Sequence, residues 1–180
     1  MSESGWVSSS LPYLTPRVKG QTDAWGAEAA AKGGQGGQLI VFAGEAPAPA
    51  EVAELLGIPA GEPVVVRRRV IQLDGVPSEL TDTYYPVDIA RGTRLAEKGR
   101  IPGGAVTYLA ELGYVGVRVQ EDVTARMPGP AERETLRLDR DEPALRLSRL
   151  TLDGDDRPLQ VDMIVLPAHR QRLRYEIQIG

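Results

Sequence analysis

The sequence predicts an α+β fold, with helices packed on one antiparallel sheet. Two pairs of apolar, β-branched runs are each joined by a short polar turn, Asp74-Gly75 in one and Asp153-Gly154-Asp155-Asp156 in the other. Turns that tight leave the joined strands no choice but to run antiparallel. Helical patterns stand between and around these hairpins, in the order helix, hairpin, two helices, strand, helix, hairpin, strand. That order is the one expected of helices layered on a single sheet. The chain has 180 residues, 42% hydrophobic and 26% charged. That is enough for one sizeable core and too little for two full enzyme domains.

Residues 1–48 read as an N-terminal arm and linker, and residues 49–180 as the main domain. The arm holds both tryptophans, Trp6 and Trp25, and the only phenylalanine, Phe42, in Gly- and Ala-rich sequence. Pro12 and Pro16 are expected to break any early helix, while Asp23 to Lys32 predicts one short helix stopped by Gly33. Gln38 to Ala43 has strand length, and Glu45 to Ala50 (EAPAPA) reads as a stiff linker. The arm is expected to be loosely tethered, with Trp6, Tyr13 and Trp25 as docking anchors.

From Pro49 the signals become regular. Glu51 to Leu56 predicts a helix closed by Gly57 and Pro59. Val64 to Leu73 and Ser78 to Tyr85 form the first hairpin. Val87 to Lys98 predicts a helix, and Ala105 to Leu112 a second, preceded by Gly103-Gly104 and closed by Gly113. Val115 to Ala125 alternates as a strand, with Val115, Val117 and Val119 on one side. Pro130 to Leu138 has proline at a helix start. Leu145 to Leu152 and Pro158 to Leu166 make the second hairpin, and Arg174 to Ile179 a last strand. Both hairpins begin with basic residues, turn on Asp-Gly and close with proline. That likeness fits two halves facing each other around a cleft, or simply the common look of long hairpins.

Several function classes drop out. No run of about 18 apolar residues is present, so no membrane-spanning helix is expected. Cysteine is absent, which excludes disulfides, thiol catalysis and cysteine-ligated zinc. The single histidine, His169, reads as a surface residue and cannot support a histidine-rich metal site. A net charge of −4 lacks the basic footprint of a nucleic-acid binder. The opening MSESGWVSSS has no basic, then apolar, signal pattern, so a cytoplasmic protein is the default. No catalytic residue, metal or cofactor is expected.

The pointed feature is Arg67-Arg68-Arg69. Side chains alternate along a strand, so Arg67 and Arg69 share a face and Arg68 takes the other. Two guanidinium forks on one face suit a carboxylate or phosphate; a solvated edge strand is the plain alternative. Glu79 returns on the partner strand and can meet a ligand or pair with an arginine. Gly103-Gly104 frees backbone N–H groups at a helix start, with the Thr107 hydroxyl and Tyr108 close by. Glu121, at an alternating strand position, and Arg149 and Asp162, on the closing hairpin, can complete the cleft. Tyr175 reads as a core or cleft-lining ring.

These residues carry a family resemblance. LGIPAGEPVVVRRRVIQLDGVPSELTDTYYP resembles the opening helix, Arg-x-Arg strand and hairpin of the UTRA effector-binding domain of GntR-type bacterial transcription regulators, HutC subgroup. GGAVTYLAELG resembles its ligand-loop helix, and LRLSRLTLDGDDRPLQVDMIVLPAHRQRLRYEI its closing hairpin and terminal strand. LPYLTPRVKGQTDAWGAEAAAKGGQGGQ is similar to the interdomain segment of actinobacterial members. The resemblance implies a chorismate lyase-like fold, a small metabolite or sugar phosphate bound between sheet and helices, and a homodimer. It implies that Arg67 and Arg69 bind an anion and that Glu79 and Glu121 reach the effector. Two departures argue against a sugar phosphate: the run at Gly103 is not a close match, and Leu166-Pro167 stands where members carry a tyrosine-arginine pair. The winged helix-turn-helix of the family, its route to DNA, has no place in this chain. The Met1 start suits a free-standing effector domain, a truncated regulator being the alternative. The function expected is sensing of a small anionic metabolite by a non-enzymatic regulator module. The alternatives are a chorismate lyase-like enzyme acting on a small dicarboxylate and a structural dimer with a degenerate cleft.

Overall fold

The computed structural model describes residues 6–18 and 20–177. In chain order the elements are β1 (Trp6–Ser8), α1 (Leu11–Leu14), α2 (Ala24–Ala31), β2 (Gly36–Pro47), α3 (Ala50–Leu56), β3 (Pro63–Leu73) and β4 (Val76–Pro86). There follow α4 (Val87–Ala90), a 3-10 turn at Arg94–Ala96, α5 (Ala105–Glu111), β5 (Arg118–Arg126), α6 (Pro130–Leu136), β6 (Ala144–Leu152), β7 (Pro158–Pro167) and β8 (Gln171–Leu173). Six strands form one antiparallel sheet in the order β2-β3-β4-β7-β6-β5, while β1 and β8 pair in parallel beside it. The α+β class is the one expected.

Turn chemistry sets the hairpins. Asp74 and Gly75 both have positive φ, 52° and 78°, the backbone a tight two-residue turn demands between twisted strands. In the second hairpin the Asp153 carboxylate accepts the N–H groups of Asp155 and Arg157, each at 2.9 Å. The hairpins then meet through their second strands, β4 against β7.

Alternation along these strands splits the sheet into two faces. On one, Val64, Val66, Tyr84, Leu150, Leu152 and Val161 pack under Val52, Ala53 and Leu56 of α3. Leu136 of α6 joins Leu138, Ala144 and Val165 on the same side. On the other, Val65, Tyr85 and Leu159 pack under Ile89 of α4, Leu95, Ile101 and Leu109 of α5. Val64, Val65 and Val66 are all sealed from water, so successive residues feed both cores. Each such valine is worth about 1.5–3 kcal/mol of burial. Arg67 and Arg69 have the parity of Val65, which turns them to the second face.

Local pattern and structure part company in five places. β2 is longer than the expected Gln38–Ala43 and takes in Glu45, Ala46 and Pro47 of the expected linker. Its backbone pairs with β3 along the whole length, past a bulge at Ile40/Phe42, whatever the side chains. This edge strand therefore lies on the arm side of residue 48. The expected Val87–Lys98 helix is cut, because Gly92 turns left-handed at φ 72° and Thr93 caps a new 3-10 turn. Pro12 sits inside α1, in the first turn, where no N–H is missed. β5 starts at Arg118, leaving Val115 and Val117 exposed ahead of it. The final strand is Gln171–Leu173, paired with β1; Arg174–Ile177 is irregular, and the rest of the expected Arg174–Ile179 lies outside the described residues.

Candidate functional site

Helices cover only part of the face that carries Arg69. Over the remainder runs a segment, described over residues 10–18 and 20–25, and between segment and sheet lies a pocket of about 140 Å³. That is room for on the order of ten water-sized groups. Arg67, Arg69 and Ile71 of β3 and Glu79, Thr81, Thr83 and Tyr85 of β4 form half of its floor. Gln160, Asp162 and Ile164 of β7 and Arg149 of β6 complete it. Arg100, Gly103, Gly104 and Thr107 make one wall; Tyr13, Arg17, Asp23 and Trp25 roof it.

The floor follows from register. Arg67 pairs with Thr83, Thr83 with Asp162, Asp162 with Arg149, and Arg149 with Glu121, one row across five strands. Every second residue along each strand then faces the pocket. Arg68, of opposite parity, pairs with Asp82 at 3.2 Å on the far side.

A directed chain of hydrogen bonds crosses this floor. Arg69 Nη2 donates to Thr83 Oγ1 at 2.9 Å, and the Thr83 hydroxyl donates to Asp162 Oδ1 at 2.6 Å. Gln160 Nε2 donates to Asp162 Oδ2 at 3.0 Å. Asp162 and Gln160 are each 5% exposed, so these partners are not shared with bulk water. Three residues that line the pocket each keep one buried side-chain atom without a partner among the described residues: Arg17 Nε, Arg69 Nε and Gln160 Oε1.

Arg67 has a different occupation. Its Nη1 donates to the carbonyls of Arg94, Leu95 and Glu97 at 3.0, 3.2 and 2.7 Å, and its Nη2 to Gly99 at 2.7 Å. The residue is 4% exposed, and that burial pulls its pKa below the usual arginine value. Arg67 lines the pocket as a strut for the 94–99 loop. Arg17, on the overlying segment, lines the same pocket and has its Nε without a partner among the described residues.

Glu79 receives the hydroxyl of Thr81. Burial pushes its carboxyl above the ordinary range, against that hydrogen bond and the charges of Arg69 and Arg149. At Glu121 burial also acts upward, but the Arg149 charge and hydrogen bonds from Ser10, Arg149 and Tyr175 outweigh it and hold the carboxyl low. Arg149 Nε meets Glu121 at 2.6 Å and its Nη2 meets Ser10 Oγ at 3.1 Å, which ties the sheet to the overlying segment.

Of the residues singled out by sequence, Arg67, Arg69, Glu79, Gly104, Thr107, Arg149 and Asp162 line the pocket. Thr107 is engaged, donating to Gly103 O and accepting the N–H of Arg17. Tyr108 lies outside the lining, packed beside the Leu95 and Ile101 cluster with the Arg94 guanidinium over its ring. Glu121 sits behind Arg149, and Tyr175 is an exposed ring whose hydroxyl pKa is raised first by partial burial and then by the Glu121 charge. Sequence reasoning missed Thr81, Thr83 and Gln160, although they share parity with Glu79 and Asp162. It missed Arg17, Asp23 and Arg100 with no comparable signal. Among the described residues no group of His, Cys, Asp and Glu is placed to hold a metal, and no helix is long and apolar enough to cross a membrane.

Comparison with known proteins adds a family and a fold. The UTRA domain family matches residues 33–172. An uncharacterized HTH-type transcriptional regulator of Streptomyces coelicolor is 28% identical over 135 residues, 73% of this chain and 50% of that protein. Another from Rhizobium meliloti is 29% identical over 133 residues, 73% of this chain and 54% of that protein. The chain thus spans about half the length of these relatives. The crystal structure of the effector domain of PhnF from Mycobacterium smegmatis superposes with a TM-score of 0.73 at 22% identity, covering 89% of this chain and 98% of that one. That likeness gives the fold, the chorismate lyase-like arrangement of sheet and helices.

Proposed function

We propose that this chain, which belongs to the UTRA domain family, is the effector-sensing module of a GntR-type regulator of the HutC subgroup. A small anionic metabolite enters the pocket, and its unequal affinity for two conformations shifts their balance. The observation that carries this reading is a roofed, polar pocket lined by Arg69, whose Nε has no hydrogen-bond partner among the described residues. An anion with acceptor oxygens satisfies that group, and a guanidinium grips it more firmly than a neutral donor does.

On this reading Arg69 is the primary anion contact. Burial pushes the Glu79 carboxyl above its ordinary range, which favours its hydrogen-bond-donating form; Arg149, Asp162, Gly104 and Thr107 shape the floor and wall. Arg67 acts through the loop it braces. Glu121 and Tyr175 hold Arg149 in place, and Tyr108 supports α5. Residues 49–180 form the effector-binding domain, and the arm, residues 1–48, adds an edge strand and the roof. The protein works in the cytoplasm as a homodimer, and DNA is reached through a separate winged-helix domain. The naming of its relatives as transcriptional regulators supports a role without catalysis.

A thermal-shift screen of small carboxylates, phosphorylated sugars, amino-acid derivatives and aromatic acids tests the proposal. A ligand present at a hundred times its Kd stabilises by about 2.7 kcal/mol, a readily seen shift. The expected result is at least one anion that raises the melting temperature of the native chain and fails to do so for Arg69→Ala. A panel without any such anion sinks the reading.

A further inference from the structure

The three unpartnered atoms of the pocket-lining residues do not all sit on the sheet. Arg69 Nε and Gln160 Oε1 belong to β3 and β7, but Arg17 Nε belongs to the N-terminal segment that lies across them. A buried polar atom left unpaired is rare and unfavourable, so each one marks a place where a partner is due.

The hydrogen-bond chain also has a fixed polarity. The Asp162 side-chain oxygens accept the Thr83 O–H and the Gln160 amide N–H. Thr83 can then only accept from Arg69, and Gln160, with its amide N–H spent on Asp162, is left with its carbonyl oxygen unpaired. One end of the floor therefore offers N–H donors and the other an acceptor. They flank paired residues on neighbouring strands, whose axes lie about 4.8 Å apart.

Resting on the effector-pocket reading, we infer that the ligand bridges the N-terminal segment to the sheet. Its anionic group sits between Arg17 and Arg69, and an N–H or O–H donor at its other end meets Gln160. Its class is thus a small hydroxy- or amino-substituted carboxylate or phosphate ester, and the segment is a wall that the ligand itself closes. The segment suits this role because little else fixes it. α1 buries no residue and α2 only Ala29. The ties that hold it are Arg149 Nη2 to Ser10 Oγ at 3.1 Å, Arg17 N–H to Thr107 Oγ1 at 3.0 Å, Asp23 to Arg100 at 2.9 Å and to Gln38 at 3.5 Å, and Trp25 Nε1 to Gln72 O at 3.0 Å. An element with so few buried contacts opens at low free energy, and one more bridge changes its population.

Trp25 closes the segment and Trp6 of β1 packs against it, ring centroids 5.3 Å apart, so intrinsic fluorescence reports on the segment at Trp25. The experiment titrates the full chain, by calorimetry and tryptophan emission, with two matched pairs of probes. Ethyl phosphate, a dianion at about pH 8, and butyrate carry acceptors only; O-phosphoethanolamine and 4-hydroxybutyrate add a donor. The expected results are at least about tenfold tighter binding of a donor-bearing probe than its partner and a change in emission on binding. Arg17→Ala should lose about tenfold in affinity together with the emission change, and Arg17→Lys should recover part of both. Equal binding within both pairs overturns the polarity. Unchanged affinity in Arg17→Ala, or ligand binding without any change in emission, overturns the bridge while leaving the pocket reading intact. Binding of none of the probes to the native chain overturns the bridge and the anion pocket together.

Discussion

Arg67 separates the strut role from a ligand role most sharply. Replacing it with methionine keeps most of the buried stem and deletes the guanidinium, with its bonds to the carbonyls of Arg94, Leu95, Glu97 and Gly99. A hydrogen bond to a charged group is worth about 1.5–3 kcal/mol net. Only the bond to Leu95 joins two fully buried residues; Arg94, Glu97 and Gly99 belong to exposed stretches whose carbonyls partly regain water. Removing a desolvated charge returns some free energy as well. The balance is a loss of about 3 kcal/mol, and for a chain of this size about 2–4 °C of melting temperature per kcal/mol. Arg67→Met should therefore melt about 6–12 °C low by circular dichroism, with the urea m-value unchanged. Ligand affinity, measured well below the melt, should fall far less than in Arg69→Ala. A variant that melts within about 2 °C of the native chain yet loses ligand binding would refute the strut and restore Arg67 as a direct contact.

Three further outcomes follow from the same geometry. Burial raises the Glu79 pKa above the ordinary 4.5, against the neighbouring charges of Arg69 and Arg149. The folded state then holds the proton more tightly, so this contribution is complete below the ordinary value and is lost as pH rises through the folded one. Glu79→Gln should match the native chain in urea unfolding at about pH 4 and exceed it increasingly towards about pH 8; a constant gap across that range rejects the assignment. Glu132 accepts both Arg126 nitrogens and the N–H of Gly129, each at 2.7 Å, and Arg126 holds its carboxyl low. Glu132→Ala should cost about 1 kcal/mol at neutral pH, a difference that shrinks as acid protonates the native glutamate; no loss at neutral pH contradicts this. A Cβ at Gly36 would lie 2.9 Å from Trp25 Nε1 and 3.1 Å from Ala29 Cβ, so Gly36→Ala should push α2 off β2. The expected cost is about 1–3 kcal/mol with red-shifted emission, and unaltered emission speaks against that contact.

Much of the scaffold is legible in the chain. The Asp-Gly turns, β-branched runs and alternation specify both hairpins, and they put Arg67 and Arg69 on one face with Glu79 on the adjacent strand. The pairing of β4 with β7 is another matter, since residues far apart in sequence meet there and no local signal announces it. That pairing builds the row through Thr83, Asp162 and Arg149. Alternation makes an arginine face the pocket without revealing what its guanidinium touches. The carbonyls that engage Arg67 come from a loop some thirty residues downstream, positioned by Leu95 in the core. Gly92 could have been read as a helix stop. The roof could not, because Arg17 lies in a stretch with neither helical nor strand period, and only packing against α5 shows its place.

Co-crystallisation with the tightest-binding anion of the screen is the most direct measurement. The expected density places the anionic group within hydrogen-bonding distance of Arg69 Nε, beneath the segment that carries Arg17. A ligand found on the outer surface, with Arg69 still unpartnered, contradicts the pocket as the seat of sensing.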